Sequence, residues 1–322
     1  MKPIYVDIAK KLGIPKPPVK ASVIQTLWGG YGELVRLHFE GYPNVIVKHV
    51  CLPDKTEHPK GWNTKLSHQR KVRSYQVETA WYQHYTQQPD PQCPMPKGLL
   101  CEQSDKEWLI VMEDLAEVGF IDTHAEADFT IIDSCLRWLA NFHAKNIENP
   151  GAGLWEQGTY WHLATRPDEL ASMTDVALQA QADRIDEILQ TAPYQTLVHG
   201  DAKLANFCFS EDGTQAAAVD FQYVGRGCAM KDVALFMSSA IPPGECEAQE
   251  HRLLECYFGH LEVALAQYRP DIEFKLLAQV WRPLFYIAWA DFHRFVKGWS
   301  PEHWKINPYT EQLTQQVILN LK

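Results

Sequence analysis

Residues 197–206 read Leu-Val-His-Gly-Asp-Ala-Lys-Leu-Ala-Asn, and residues 218–222 read Ala-Val-Asp-Phe-Gln. In these stretches a carboxylate, Asp201, stands five residues before a carboxamide, Asn206, and a second carboxylate, Asp220, follows a short apolar run. Carboxylate and amide oxygens are hard ligands of the kind that Mg²⁺ prefers, so Asn206 and Asp220 are predicted to bind this ion. Asp201 is left to accept the proton of an attacking hydroxyl group.

The order His-Gly-Asp, then Asn206, then Asp-Phe-Gln resembles the choline-kinase and aminoglycoside-phosphotransferase superfamily, whose members are relatives of the eukaryotic protein kinases. Among the branches of this superfamily, the sequence most resembles the ecdysteroid-kinase-like group. The resemblance implies an α+β, bilobal protein-kinase-like fold with a β-rich N-lobe and a mainly helical C-lobe. It also implies a phosphotransferase that uses ATP and Mg²⁺. Gln222 replaces the glycine of the protein-kinase Asp-Phe-Gly, a change that small-molecule kinases of this superfamily tolerate.

Two other interpretations of these stretches stay open. Each piece alone also fits an ordinary turn, because Asp and Asn favour turns and Gly permits a positive φ. The pieces together, in order and at kinase spacing, favour catalysis. A non-catalytic, nucleotide-binding pseudokinase that serves as a partner-binding module is the second alternative. The full set of catalytic residues argues against it, since degraded kinases usually lose one.

Three more residues, Lys203, His199 and Asp232, also have predicted roles. Lys203 stands where many kinases place a lysine against the γ-phosphate, and a positive charge there would favour the transition state. It could also be an ordinary solvated lysine. His199 is predicted to hydrogen-bond the loop backbone, since Asp201 is the better-placed base. Asp232 matches the family position that braces the catalytic loop from the start of the next helix, where it could equally be a helix N-cap.

A glycine-rich stretch lies between two predicted strands of the N-terminal region. Glycines at 29, 30 and 32 would let backbone N–H groups approach phosphate oxygens, although Gly29, Gly30 and Gly32 fit a plain hairpin turn about as well. The chain contains no GxxxxGK[ST] motif, which excludes a P-loop.

Val45-Ile46-Val47-Lys48 resembles the kinase strand whose lysine holds the α- and β-phosphates. The alternative for Lys48 is a simple strand-edge residue. Its predicted partner is Glu78, in the middle of a predicted helix, although Glu78 could be one more exposed helix charge.

The segment Met112-Glu113-Asp114-Leu115 resembles the adenine-binding hinge of the family. The resemblance implies that backbone groups of Glu113 and Leu115 bind the adenine edge. It divides the chain into an N-lobe over residues 1–112 with a five-stranded sheet and a helix, a hinge over 113–117, and a C-lobe over 118–322.

Hydrophobic periodicity predicts the main elements. The predicted strands are Ala21–Leu27, Leu34–Phe39, Val45–Lys48 and Glu107–Met112, and the predicted helices are Ser67–Gln87, Asp128–Lys145 and Thr174–Leu189. A short hairpin formed by Leu197–His199, Phe207–Phe209 and Ala216–Val219 is predicted to carry the catalytic residues on its loops.

The amino-acid composition of the chain limits the partners and the compartment that are expected. The formal net charge of −10 argues against nucleic acid or an anionic membrane surface as the main partner. The eight cysteines are scattered with no CxxC pair, which is typical of free thiols in a reducing cytoplasm. No signal peptide and no membrane-spanning run are expected, and the oligomeric state is left open.

The acceptor is predicted to be a small molecule with a hydroxyl group, such as a choline-, aminoglycoside- or ecdysteroid-like compound. Only eleven residues separate Asp220 from Asp232, and no Ala-Pro-Glu follows, so a protein-kinase activation segment does not fit. The aromatic run 281–295 could form a pocket wall, with Trp289 as a π-face and Asp291 as a polar anchor. The alternative is a buried, packed helix.

Overall fold

The computed structural model describes residues 1–27, 30–52 and 65–321. Two regions are distinct within it: an antiparallel sheet with two helices near the N-terminus, and a larger, mainly helical region that follows. The expected α+β, bilobal architecture is confirmed.

The N-terminal region is built on a five-stranded antiparallel sheet with strand order β1-β2-β3-β5-β4. Its strands are β1 (Lys20–Thr26), β2 (Gly32–His38), β3 (Val45–Cys51), β4 (Gly98–Gln103) and β5 (Glu107–Glu113). Along β3 the side chains alternate between the two faces of the sheet. Val45 and Val47 therefore enter one hydrophobic cluster, while Ile46 and Lys48 face the opposite side.

Helices cover both faces of this sheet. Helix α1 (Pro3–Lys11), which the sequence patterns did not predict, buries Tyr5 and Ile8 against the Val45 and Val47 face. Each such apolar side chain contributes about 1.5–3 kcal/mol when it leaves water. Helix α2 (Lys65–His84) lies on the other face and packs against β4 and β5.

The C-terminal region is a helical assembly around one large hydrophobic core. Its helices are α3 (Phe129–Lys145), α4 (Pro167–Ser172), α5 (Val176–Thr191), α6 (Met230–Ala240), α7 (Cys246–Tyr268), α8 (Phe274–Trp299) and α9 (Pro308–Asn320). The predicted helix 128–145 is confirmed, and the Asp128 side chain caps it by accepting from the amide of Ile131 at 3.0 Å. Leu136, Leu139 and Phe142 on its predicted apolar face are buried.

Five short strands lie among these helices, and they correct the predicted hairpin. They are β6 (Phe120–Asp122), β7 (Thr196–Val198), β8 (Phe207–Ser210), β9 (Ala216–Ala218) and β10 (Gly225–Gly227). Strands β8 and β9 pair as predicted, with β6 on the other side of β8. Strand β7 instead pairs with β10, which follows the Asp-Phe-Gln stretch. The loop over residues 199–206, which is the predicted catalytic loop, thus connects two separate small sheets.

Two further observations concern the cysteines and the lengths of the helices. All eight cysteines carry free thiols, as their scattered spacing predicts. Over residues 1–27, 30–52 and 65–321, no helix combines the length and the apolar character needed to cross a bilayer.

Candidate active site

A cleft of about 1060 Å³ lies between the N-terminal sheet with α2 and the helical region. The catalytic-loop residues Asp201, Lys203 and Asn206 line it, and so do Lys48 and Glu78 from the N-terminal region. The structure therefore brings together, across one cavity, side chains that lie far apart in the sequence.

The catalytic loop holds Asp201 in a defined setting. The Lys203 ammonium donates to Asp201 Oδ2 at 2.8 Å, and Asn206 Nδ2 donates to the same oxygen at 3.0 Å and to the Asp201 carbonyl at 2.8 Å. Asp201 Oδ1 is buried and has no hydrogen-bond partner among the described residues. Burial raises the pKa of the Asp201 carboxyl, and the Lys203 charge opposes this shift. One oxygen is thus held by two donors, and the other has no partner among the described residues.

Backbone bonds to Asp232 fix the start of this loop. The Asp232 carboxylate, in the first turn of α6, accepts from the amides of His199 at 2.5 Å and Gly200 at 2.9 Å, and His143 Nε2 lies 3.1 Å from it. Gly200 has φ +81°, and a Cβ there would lie 2.1 Å from the carbonyl oxygen of Tyr223. Only glycine fits this close approach.

His199 links the catalytic loop to the Asp-Phe-Gln stretch. Its Nε2 donates to the carbonyl of Val219 at 3.0 Å, and its Nδ1 accepts from the amide of Asp201 at 3.3 Å. Since both ring nitrogens bond to backbone, the imidazole orients the two loops relative to each other.

Asp220 has an unusual backbone conformation, with φ +67°. Such left-handed geometry in a non-glycine residue is costly and is found mainly where the surrounding structure enforces it, often at functional sites. The next residue, Phe221, is fully buried and stacks on Trp81 of α2 with ring centroids 4.6 Å apart. The buried Phe221 ring, which packs against α2 of the N-terminal region, therefore anchors the backbone next to Asp220.

The Lys48 ammonium joins three parts of the chain. It donates to Glu78 Oε1 at 2.7 Å and to Asp220 Oδ1 at 3.2 Å. Burial disfavours the charge on Lys48, but the two carboxylates outweigh burial and raise its pKa. Burial likewise opposes ionisation of Asp220, while Lys48 and other lysines hold its pKa below the usual value. Strand β3, helix α2 and the Asp-Phe-Gln stretch thus meet at one charged cluster.

The glycine-rich turn is only partly described. Gly29 lies outside the described residues. Gly30 has φ +73° and Gly32 φ +144°, and a Cβ on Gly32 would meet the carbonyl oxygen of His49 at 2.0 Å. Neither described glycine lines the cleft, whereas Leu27 and Tyr31 beside them do.

The segment after β5 forms another edge of the cleft. Glu113 and Leu115 both line it. The Glu113 amide donates to the carbonyl of Lys97 at 2.9 Å, so only its carbonyl remains for a ligand. Asp114 is buried and forms a two-pronged ion pair with Arg36 of β2, at 2.5 and 3.1 Å, which ties this segment to the sheet.

The interpretation of Trp289 and Asp291 as acceptor contacts is wrong. Both are buried inside the helical region, and neither lines the cleft. Asp291 pairs with Arg294 at 2.8 Å and Lys231 at 3.3 Å, and it accepts from Trp161 Nε1 at 3.1 Å. These partners satisfy the carboxylate in the interior. The packed-helix alternative therefore holds here, and further along α8 the cleft is instead lined by Phe295 and Trp299.

Several residues that line the cleft lacked a sequence signal. They come from the first turns of α2, from the segment around α4 and from the residue after Gln222: Ser67, His68, Arg70, Lys71, Tyr160, Arg166, Glu169 and Tyr223. No motif marks them, because their proximity depends on how α2 packs on the helical region. The one available signal was the spacing of Lys71 and Glu78, seven residues apart and hence on the same helical face.

An aspartate and an asparagine on a loop, a second aspartate after a short strand, and a strand lysine paired with a helix glutamate around an interlobe cleft define a protein-kinase-like phosphotransferase. The model of the phosphotransferase enzyme family, APH, matches residues 55–270, which is more than half of the chain. The chain therefore belongs to this family and is a phosphotransferase enzyme.

Solved structures agree on the fold. Amicoumacin kinase hAmiN, in complex with AMP-PNP, Ca²⁺ and Ami, is 12% identical, covers 98% of this chain and 92% of its own, and superposes with a TM-score of 0.51. A thermostable mutant of aminoglycoside phosphotransferase APH(4)-Ia, with ADP and hygromycin B, is 11% identical, covers 93% of this chain and 100% of its own, with a TM-score of 0.50. No curated protein sequence matches the chain.

Proposed function

We propose that this phosphotransferase moves the γ-phosphoryl group of ATP to a hydroxyl group of a small molecule, with Asp201 as the base. The observation that carries the proposal is the unpartnered, buried Asp201 Oδ1 in a cleft that also holds Lys203, Asn206 and Asp220. A carboxylate with a raised pKa and a free oxygen is suited to orient a hydroxyl group and accept its proton.

ATP is proposed to lie under the sheet, with adenine at residues 113–115 and the phosphates at Lys48. The Glu113 carbonyl and the Leu115 amide would bond the adenine edge. Lys48, held by Glu78, would bind the phosphates as a fixed positive charge. Tyr31 and Leu27 would cover the triphosphate from the turn between β1 and β2, and Gly30 and Gly32 would give that turn its shape. The similar fold of hAmiN, which is in complex with AMP-PNP and Ca²⁺, is consistent with such a nucleotide site.

The donor set fits a divalent cation. Asn206 uses its amide nitrogen on Asp201, which leaves its amide oxygen free, and Asp220 keeps an oxygen that does not bond Lys48. Both are hard oxygen donors. Mg²⁺ bound by Asn206 and Asp220 would neutralise charge that develops on the phosphate oxygens.

In the proposed reaction, the acceptor oxygen bonds to the γ-phosphorus while the bond from this phosphorus to the β–γ bridging oxygen breaks and ADP leaves. The hydroxyl proton passes to Asp201 Oδ1. Lys203 would stabilise the negative charge on the transferred group, and it already holds the other oxygen of Asp201 at 2.8 Å. His199 and Asp232 would act through the loop backbone that they hold in place.

The test uses the purified protein with labelled ATP and a panel of amino alcohols, aminoglycosides, sugars and sterols, with Mg²⁺ or with EDTA. We expect Mg²⁺-dependent ADP formation, at least as slow hydrolysis. Asp201→Asn should lower kcat by about 10²–10⁴-fold, because proton transfer by a positioned base contributes that much. The Michaelis constant for ATP should change little.

Asp183→Asn is the matched control, since Asp183 is an exposed carboxylate on α5 outside the cleft. It should behave like the unaltered enzyme. Unchanged turnover in Asp201→Asn would remove the base assignment. Thermal stabilisation by Mg-ATP without phosphorylation of any member of the panel would instead favour the pseudokinase alternative.

A further inference from the structure

Helix α2 carries a line of side chains into the cleft that extends past Glu78. Lys71, Tyr75, Glu78 and Tyr82 recur at intervals of three or four residues and all line the cavity. Seven residues of helix place Lys71 about 10 Å from Glu78 along the axis. At the other end of this line, Tyr82 lies against Gly98, whose neighbour Lys97 accepts from the Glu113 amide. Lys71 therefore lies on the side of the cleft away from residues 113–115.

The contacts of Lys71 fix its place. Its ammonium donates to Gln222 Oε1 at 3.3 Å and lies 4.9 Å from the centre of the Tyr75 ring. Gln222 is two residues beyond Asp220 in the sequence. Lys71 is half-buried, and burial, with the nearby Lys48 charge, lowers its pKa to about 8.

Arg70 and Arg166 extend the positive charge at this end. Arg70 donates to the carbonyl of Thr165 at 2.7 Å, which connects α2 directly to the helical region. Arg166 donates to Glu169 Oε1 at 2.8 Å and lies 4.8 Å from the centre of the Phe295 ring. Burial and the Arg166 charge lower the pKa of Arg70.

The charges at this end do not cancel. Glu169 forms an ion pair with Arg166, and Asp201 forms one with Lys203. Among the residues that the structure describes, no carboxylate forms a salt bridge with Arg70 or Lys71, whose partners are carbonyl, hydroxyl and amide oxygens. The carboxylates of Asp220, Glu78 and Asp201 act on Lys71 without a direct ion pair, and they do not prevent the fall in its pKa. Two half-buried cations that form no direct ion pair carry a desolvation cost that an anionic ligand would relieve.

Aromatic rings complete this end of the cleft. Tyr160, Tyr223, Phe295 and Trp299 line it, and Tyr160 packs against Tyr223 and Phe295 with centroids 5.8 and 5.4 Å apart. Such rings offer flat apolar surface to a ligand body. A polycation such as an aminoglycoside would meet Arg70 and Lys71 with the wrong sign.

We propose that Lys71 and Arg70 form an anion-binding subsite, so that the acceptor carries a carboxylate or another anionic oxygen group in addition to the hydroxyl group that is phosphorylated. This proposal rests on the proposed function above, and it names the acceptor class. Lys71 and Arg70 pair with the anion, and the aromatic rings hold the apolar part of the acceptor while Asp201 receives its hydroxyl group.

Binding of three matched probes tests the proposal without requiring turnover. The full-length protein, saturated with Mg²⁺ and AMP-PNP, is titrated calorimetrically with 4-(hydroxymethyl)benzoate, benzyl alcohol and 4-(aminomethyl)benzyl alcohol, which share a ring and a hydroxyl group but differ in charge. We expect the anion to bind at least about tenfold more tightly than the other two, the equivalent of one favourable charge contact.

Lys71→Gln should remove this preference, and Lys71→Arg should retain most of it. The loss should fall on affinity for the anion and not on the Michaelis constant for ATP. Lys275→Gln, which removes an exposed lysine on α8, is the matched control and should keep the preference. Equal binding of the three probes, binding of none at the solubility limit, preference for the amine, or a changed Michaelis constant for ATP in Lys71→Gln would each overturn the proposal.

Failure of this proposal is distinguishable from failure of the proposed function. Mg²⁺-dependent ATP hydrolysis that is lost in Asp201→Asn would stand even if the probes showed no preference for an anion. Anion preference that is lost in Lys71→Gln would stand even if no acceptor were phosphorylated.

Discussion

The two ends of the cleft are built differently. At the end near residues 113–115, each cation faces a carboxylate: Lys48 contacts Glu78 and Asp220, and Arg36 contacts Asp114. At the opposite end, within the described parts of the chain, Lys71 and Arg70 donate hydrogen bonds only to neutral oxygens.

This difference indicates which end is complete before a ligand arrives. Paired charges order a site in advance, so less ordering remains for binding to accomplish. Half-buried cations that lack a partner carry a desolvation cost that a complementary ligand can relieve. The first end is therefore suited to a ligand common to a whole family, and the second end to a particular acceptor.

The largest effect is expected on stability, at Asp291 in the interior of the helical region. Asp291→Asn leaves the buried Arg294 and Lys231 without their negative partner, so it should lower the free energy of unfolding by about 3–5 kcal/mol. Urea unfolding followed by tryptophan fluorescence measures it. Asp183→Asn, at an exposed site, should stay within about 0.5 kcal/mol of the unaltered protein. A similarly small change for Asp291→Asn would mean that this buried ion-pair network contributes little to stability.

The paired end is tested at Lys48. Lys48→Met should lower kcat/KM by about 10²–10³-fold, the usual effect of removing one preorganised charge contact to the transition state. Because Glu78 acts through Lys48, Glu78→Gln added to Lys48→Met should cost little more. Steady-state kinetics of both single variants and the double variant measure the coupling. Independent, additive losses would contradict a preassembled ion pair.

Gly200 lies on the catalytic loop between the two ends. Gly200→Ala must place a Cβ against the Tyr223 carbonyl at φ +81°, so we expect a loss of about 2–3 kcal/mol in the free energy of unfolding. Gly244→Ala is the control, because a Cβ there meets nothing within 4 Å. Denaturant titration of the two variants gives the comparison, and equal stabilities would argue that the loop can move away from Tyr223.

The smallest effect is a pH dependence at the acceptor end. The pKa of Lys71 is lowered to about 8, so the ammonium is mostly protonated below that pH and loses its charge above it. Other charged and polar groups that act on Lys71 are Lys48, Asp220, Glu78, Asp201 and Gln222. Affinity for 4-(hydroxymethyl)benzoate should therefore fall as pH rises from 7 to 9, by up to about tenfold.

Calorimetry at several pH values measures this dependence, and buffers of different ionisation enthalpy should reveal proton uptake on binding above pH 8. Lys71→Arg, whose guanidinium stays charged over this range, should bind the probe with a much flatter pH profile. An equally steep profile in Lys71→Arg would assign the titration to another group.

Short sequence motifs predict most of the elements and side chains that line the cleft near Lys48. The strand that ends in Lys48, the helix that contains Glu78, and the loop from Asp201 to Asn206 were all predicted, and the structure brings these side chains to one cleft. Local spacing is sufficient here because each element has a characteristic periodicity or turn chemistry. The pairing of β7 with β10 was missed, because a three-residue strand carries little periodic signal of its own.

The sequence alone establishes the class of fold and predicts the chemistry of one end of the cleft, since the acid, amide and lysine that are proposed to transfer a phosphoryl group occur in a set order along the chain. The arrangement of side chains at the other end of the cleft follows only from the tertiary structure. It buried Asp291 with Arg294 and Lys231, and it brought Lys71 of α2 to Gln222. The physical reason is that burial and charge compensation depend on packing between distant elements, and no local pattern of residues records that packing.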